Sequence, residues 1–228
     1  MPLLSLGLLL LASPVQDIAV PKITASVDLT NVRVDAATKA KLDSLALTYE
    51  VVARQNYPLI IHALRMENDP IAKDVRIVIT YGYKGVAATS GSGFGGENKG
   101  ARIDVSAAYA LSHPNDLGMI VHEMVHVVQS YPDYDPVWLV EGVADWVRWF
   151  NWEEVSKRPR PNPAKATARD SYQTTGAFLY YVSTHYDINL VPKINRLFKN
   201  RQYKESFFKT ATGKTLNQLD AEWRKTLK

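Results

Sequence analysis

The sequence predicts an α+β fold: a small sheet assembled from the N-terminal half, packed beside one buried helix, with a mostly helical C-terminal half. Three observations carry this reading. Every segment of strand character lies before residue 106. Residues 117–129 are apolar apart from two histidines, one glutamate and a final glutamine, which is the composition of a helix buried on more than one face. From residue 137 onward apolar side chains recur at the three-to-four spacing of helices. At 228 residues the chain can bury one sizeable core, and nothing in it demands a second.

Taken in order, residues 3–12 form an apolar run followed by Ser13 and Pro14, too short to span a bilayer. The run reads as the core of a secretory signal peptide over residues 1–16, ahead of one mature domain of residues 17–228. No lysine or arginine precedes it, and a buried first helix is the alternative. Residues 22–29 alternate apolar and polar and read as a strand. Residues 38–53 have helical spacing, and an apolar pattern resumes over 58–64, where His62 reads as a core or surface histidine. Strands are expected at 75–81, 86–89 and 101–105.

Residues 91–96 (Gly-Ser-Gly-Phe-Gly-Gly) match the letters of a dinucleotide fingerprint. That site needs a helix to follow, whereas a strand follows here, so a flexible hairpin loop near the rim of the site is expected. The strand leading towards the buried helix is expected to offer its edge to an extended substrate. Residues 131–136 (Tyr-Pro-Asp-Tyr-Asp-Pro) form a tight loop that ends the buried helix. A second helix covers 137–150. Trp146, Trp149 and Trp152 read as packing and rim, and the Pro- and Lys/Arg-rich residues 157–165 as a loop. Helices are expected at 171–186 and 190–201, and Gly213 opens a final amphipathic segment at 216–227.

Within the buried helix stand His122, Glu123 and His126. Four residues turn a helix by about 400°, so the two imidazoles leave the same face one turn apart. So placed they can grip one Zn²⁺. Glu123, about 100° round the helix, can accept a proton from a water activated there. This is the HExxH pattern of zinc metallopeptidases, and burying these groups without partners would cost several kcal/mol.

A catalytic zinc takes three protein ligands and keeps one open position. The acidic residues close downstream are Asp133, Asp135, Glu141 and Asp145. The first two lie in the loop. Glu141 and Asp145 are four apart on the polar stripe of the second helix, which Arg148 continues; a solvated face is the plain alternative. In the sharper reading Glu141 completes His-His-Glu coordination and Asp145 accepts the other ring N–H of a ligating histidine. Position 132, where metzincins carry a third histidine, is Pro132, and no methionine follows Glu141. The arrangement looks like a gluzincin.

Gly100–Tyr109, the His122–Gln129 block and Trp138–Arg148 resemble the plant basic secretory protein family and its bacterial relatives, as do Tyr172–Tyr180 and Gly213–Leu219 in the same order. The likeness runs over about residues 38–228. It implies a secreted zincin-like fold with metallopeptidase activity. Two departures are Gly176, where a larger residue is expected, and the long glycine-rich stretch 90–100. Gluzincins commonly add a Tyr or His donor from a later helix to meet charge on the tetrahedral intermediate. Tyr172, at the start of its helix, is the candidate, with His185 behind it and packing against the Pro-rich loop as the alternative. Tyr180 and Tyr181 read as core.

Composition narrows the rest. Cysteine is absent, which removes thiolate ligands, a cysteine nucleophile and disulfide staples. The net charge is +4 with scattered basic residues, so nucleic acid is not expected as a partner. The expected function is secreted or periplasmic zinc-dependent peptide hydrolysis, with Glu123 as base, peptide or protein as substrate, and no stable membrane span; a monomer is the default. A secreted defence or binding protein that keeps zinc without turnover is the alternative, and a structural zinc site with a fourth protein ligand is a further one.

Overall fold

The computed structural model describes residues 18–69, 72–91 and 100–227. The expected signal peptide and the core of the glycine-rich loop, residues 92–99, lie outside them. Four strands form one mixed sheet: β1 (Lys22–Asp28), β2 (Asp74–Thr80), β3 (Ala87–Gly91) and β4 (Ala101–Ser106). The spatial order is β1-β2-β4-β3. β1 and β4 run parallel to β2, and β3 is antiparallel to β4. Parallel neighbours need a crossover, and α1 (Ala36–Leu64) supplies it between β1 and β2. Alternation sets the buried face: Ala101, Ile103 and Val105 of β4 and Val75, Ile77 and Ile79 of β2 are inaccessible to solvent.

The sequence pattern suggests a break in α1 before Pro58, but the helix runs through it for 29 residues. Proline there removes one backbone hydrogen bond and strains the turn before it, at about 3 kcal/mol. Against that stand Ile60, Ile61 and Leu64, all buried beyond the break, each contributing about 1.5–3 kcal/mol. Burial wins. Asp35 caps the start by accepting from Thr38 N at 2.8 Å.

Among the described residues every strand precedes residue 107, and the main elements after it are helices: α2 (Ala107–Ser112), α3 (Gly118–Gln129), α4 (Val137–Val147), α5 (Tyr172–His185), α6 (Leu190–Lys199), α7 (Phe207–Thr212) and α8 (Leu216–Thr226). The fold is therefore α+β with a small mixed sheet. All twelve residues of α3 are buried, because α1, α4 and β3 pack around it. The second helix ends at Val147 and continues as a wide π-type turn over Arg148–Trp152. β4, which leads towards α3, is paired on both sides, so among the described residues the free edge of the sheet beside α3 belongs to β3. The edge expected of the leading strand is thus the edge of its hairpin partner.

α4 and α5 pack closely because small residues sit between them. A Cβ on Gly142 would lie 2.1 Å from Thr175 Cγ2, and one on Gly176 would lie 3.1 Å from the Asp145 carbonyl carbon. The departure at Gly176 therefore has a physical reason, since a larger side chain would meet α4 backbone. Thr175 is fully buried and donates its hydroxyl to Ala168 O at 2.8 Å, so it cannot swing aside. Gly142→Ala is expected to destabilise the protein by about 1–3 kcal/mol through overpacking. Thermal unfolding should show a midpoint lowered by several degrees; an unchanged midpoint would mean the two helices separate freely.

Candidate metal centre

α3 and α4 face each other across the site, α3 presenting His122, Glu123 and His126 and α4 presenting Glu141 and Asp145. All five are buried, none more than 8% exposed. The three groups His122, His126 and Glu141 could hold a metal ion. Their inner atoms form a near-equilateral triangle. His122 Nε2 lies 3.1 Å from Glu141 Oε2 and 3.2 Å from His126 Nε2, and His126 Nε2 lies 3.3 Å from Glu141 Oε2. An ion held tetrahedrally at about 2.0–2.1 Å would separate its ligands by about 3.3–3.4 Å, so the triangle fits one.

The outer atoms explain why the triangle points inward. His122 Nδ1 donates to Asp145 Oδ1 at 2.6 Å, and His126 Nδ1 donates to Gln129 Oε1 at 2.7 Å. With both Nδ1 atoms so engaged, each Nε2 faces the centre and offers its lone pair there once it carries no proton. Gln129 is itself fixed, since its amide Nε2 donates to Val140 O on α4 at 3.0 Å. Glu141 Oε1, the oxygen outside the triangle, accepts from the Tyr134 hydroxyl at 2.6 Å.

Three converging acceptors repel unless a cation or proton stands between them. Burial disfavours a charged His122, but hydrogen bonds with Asp145 and Glu141 outweigh it and lift the imidazole to about 10. Burial likewise pushes Glu141 up, yet the bonds from His122 and His126 dominate and hold its carboxyl well below the usual range. Tyr134 moves the other way: burial, then the charge of Glu141, pushes its phenol well up, so it remains a donor.

Glu123 turns away from the triangle towards β3. Its Oε2 accepts from the Thr89 hydroxyl at 2.7 Å, and the same hydroxyl lies 3.1 Å from the Glu123 carbonyl. Tyr172 opens α5 with its ring near-parallel to that of His122, centroids 6.0 Å apart, and is half-exposed. Ser171 and Tyr172 both have positive φ, 69° and 45°, a left-handed backbone that costs non-glycine residues energy and recurs at functional sites. His122, Glu123, His126, Glu141, Asp145 and Tyr172 line one cavity of about 840 Å³, together with Thr89, Tyr134 and Arg148.

The other sequence candidates lie elsewhere. His185 is at the far end of α5, about 20 Å along the helix from Tyr172, and is exposed. Asp133 and Asp135 line a separate recess with Arg201 and Tyr203. His62 is exposed and pairs with Glu67 at 3.2 Å. Trp146 is core, Trp149 lies under the Arg148 guanidinium at 4.3 Å, and none of the three tryptophans lines the cavity. Thr89, Gln129 and Tyr134 were not singled out from sequence. Gln129 had a signal, because it follows His126 by three residues on the same helical face. Thr89 and Tyr134 had none.

A family model described as a peptidase of plants and bacteria matches residues 28–223, most of the chain. The chain belongs to that family, the basic secretory proteins. Neither the curated proteins nor the solved structures yield a match. The family name supports peptidase activity at the coarse level and agrees with secretion. Among the described residues, no helix is long and apolar enough to cross a membrane.

His122 carries its proton well above neutral pH, and an ion entering the triangle must displace it. Metal binding at pH 7 is therefore expected to release about one proton per site. Titration calorimetry in buffers of different ionisation enthalpy reads this directly, and a binding enthalpy independent of buffer would contradict it.

Proposed function

We propose that this basic secretory protein is a secreted or periplasmic, zincin-like zinc metallopeptidase of the gluzincin type, its residues 17–228 forming one monomeric domain. His122, His126 and Glu141 hold the ion, Glu123 is the general base, Asp145 orients His122, and Tyr172 meets charge on the tetrahedral intermediate. The observation that carries the reading is the triangle of two Nε2 atoms and one carboxylate oxygen, with sides of 3.1–3.3 Å, opening onto a large cavity. Two imidazoles and one carboxylate suit Zn²⁺, and three ligands beside an open cavity favour a catalytic over a structural centre.

When bound, zinc supplies a Lewis acid that polarises a carbonyl and lowers the pKa of water. The remaining steps belong to the chain. Glu123, held by Thr89 yet lining the cavity, takes a proton from the attacking water and returns it to the leaving amine. Tyr172 stands over the His122 side of the centre, where its hydroxyl can donate to the developing oxyanion. The free edge of β3 lies beside α3, and an extended peptide can pair with it there.

Cleavage of an unbiased peptide library by the zinc-loaded protein is the decisive test. Glu123→Gln should keep zinc and lose about 10²–10⁴-fold in rate, the span of a general base. Zinc retained by the wild type with no cleavage at all would instead favour a binding or defence protein on the same fold. Tyr172→Phe, which deletes only the hydroxyl, should leave zinc content and thermal stability near wild type while kcat falls roughly 10²-fold. An unchanged kcat would return Tyr172 to a packing role.

A further inference from the structure

We infer that Tyr134 is a positioning residue for the metal centre: its hydroxyl occupies one oxygen of Glu141 and so presents the carboxylate to the ion through the other oxygen alone. This rests on the reading that His122, His126 and Glu141 hold an ion.

A carboxylate on a buried helix has two equivalent oxygens and can offer either or both to a cation. Only one is placed to do so here. Oε2 lies 3.1 and 3.3 Å from the two Nε2 atoms, while Oε1 takes the Tyr134 proton at 2.6 Å. The same hydroxyl sits 3.3 Å from both ring nitrogens of His126. Equidistance means that it is in line with neither lone pair, and Nδ1 already faces Gln129 at 2.7 Å. The hydroxyl's proton therefore goes to Glu141. A phenol beside an anion in a half-enclosed site makes a strong, short donor of this kind.

The position of Tyr134 in the chain suits the task. It lies on the loop between α3 and α4, seven residues before Glu141, and its ring packs against His126 with centroids 5.7 Å apart. One side chain thus touches a histidine of one helix and the carboxylate of the other. Asp145 and Gln129 fix the two imidazoles from behind; Tyr134 does the same for the carboxylate. With Oε1 engaged, the ion keeps a coordination position towards the cavity that a chelating carboxylate would fill.

Tyr134→Phe keeps the ring and removes only the donor. Zinc affinity, measured by competition with a chromophoric chelator, is expected to fall about 10–100-fold, as when other outer partners of metal ligands are lost. The cobalt-substituted variant should also show a weaker visible band than cobalt-substituted wild type, as the freed Oε1 joins the ion and raises its coordination number. Thermal unfolding of both metal-free proteins establishes that the variant folds. X-ray absorption at the zinc edge of the wild type gives a second reading that needs no variant: the carboxylate should bind through one oxygen. Equal zinc affinity with equal cobalt spectra, or a wild-type carboxylate chelating through both oxygens, would overturn the role of Tyr134 while leaving the metal centre standing. A wild type that takes up no zinc would overturn both.

Discussion

The structure turns on one repulsion. Two imidazole nitrogens and a carboxylate oxygen meet within 3.1–3.3 Å on the wall of the cavity, largely shielded from water. Such a cluster is costly unless positive charge stands at its centre, because a low dielectric strengthens every unfavourable term as well as every favourable one. A proton on His122 meets part of the demand, which is why that imidazole is lifted so far despite its burial. A metal ion in the triangle would meet it fully. Asp145, Gln129 and Tyr134 hold the residues that carry those three atoms in place.

The means of holding differ among the three groups, and the difference is chemical. His122 leans on an anion, Asp145, whereas His126 leans on a neutral amide, Gln129, which is tied in turn to the backbone of α4. A carboxylate behind an imidazole raises its basicity, and the hydrogen bond with Asp145 does so for His122. Glu141, already anionic, is met by a phenol. Each partner is matched to the charge in front of it, and none of the three groups is left to find its own orientation.

Position along α5 decides what reaches the cavity. The glycines at the α4–α5 contact let the helices approach until Thr175 fills the space a side chain on α4 would take. That approach carries the first turn of α5, with its left-handed Ser171 and Tyr172, to the mouth of the site. The opposite end of the same helix carries His185 to a different surface, where it contacts Tyr181 and Thr184. A close helix pair thus sorts two candidate donors that look similar in sequence.

What the sequence by itself determined is whatever a single element dictates. Helical period puts His122 and His126 on one face of α3 and Glu141 and Asp145 one turn apart on α4, and strand alternation supplies β1, β2 and β4. The family match, over residues 28–223, spans β2, β4, α3 and α4. The continuity of α1 through Pro58 was not legible, because a local penalty was outweighed by burial against elements far along the chain. The edge strand was not legible either: whether β3 or β4 lies outermost depends on how the hairpin folds back beside β2. Thr89 reaches Glu123 from 34 residues away, and Tyr134 reaches Glu141 from a loop with no periodicity. Contacts of that kind have no short-range signature, since they come into being only when separately specified elements pack. The tertiary structure alone decided them, and with them the orientation of every group the site uses.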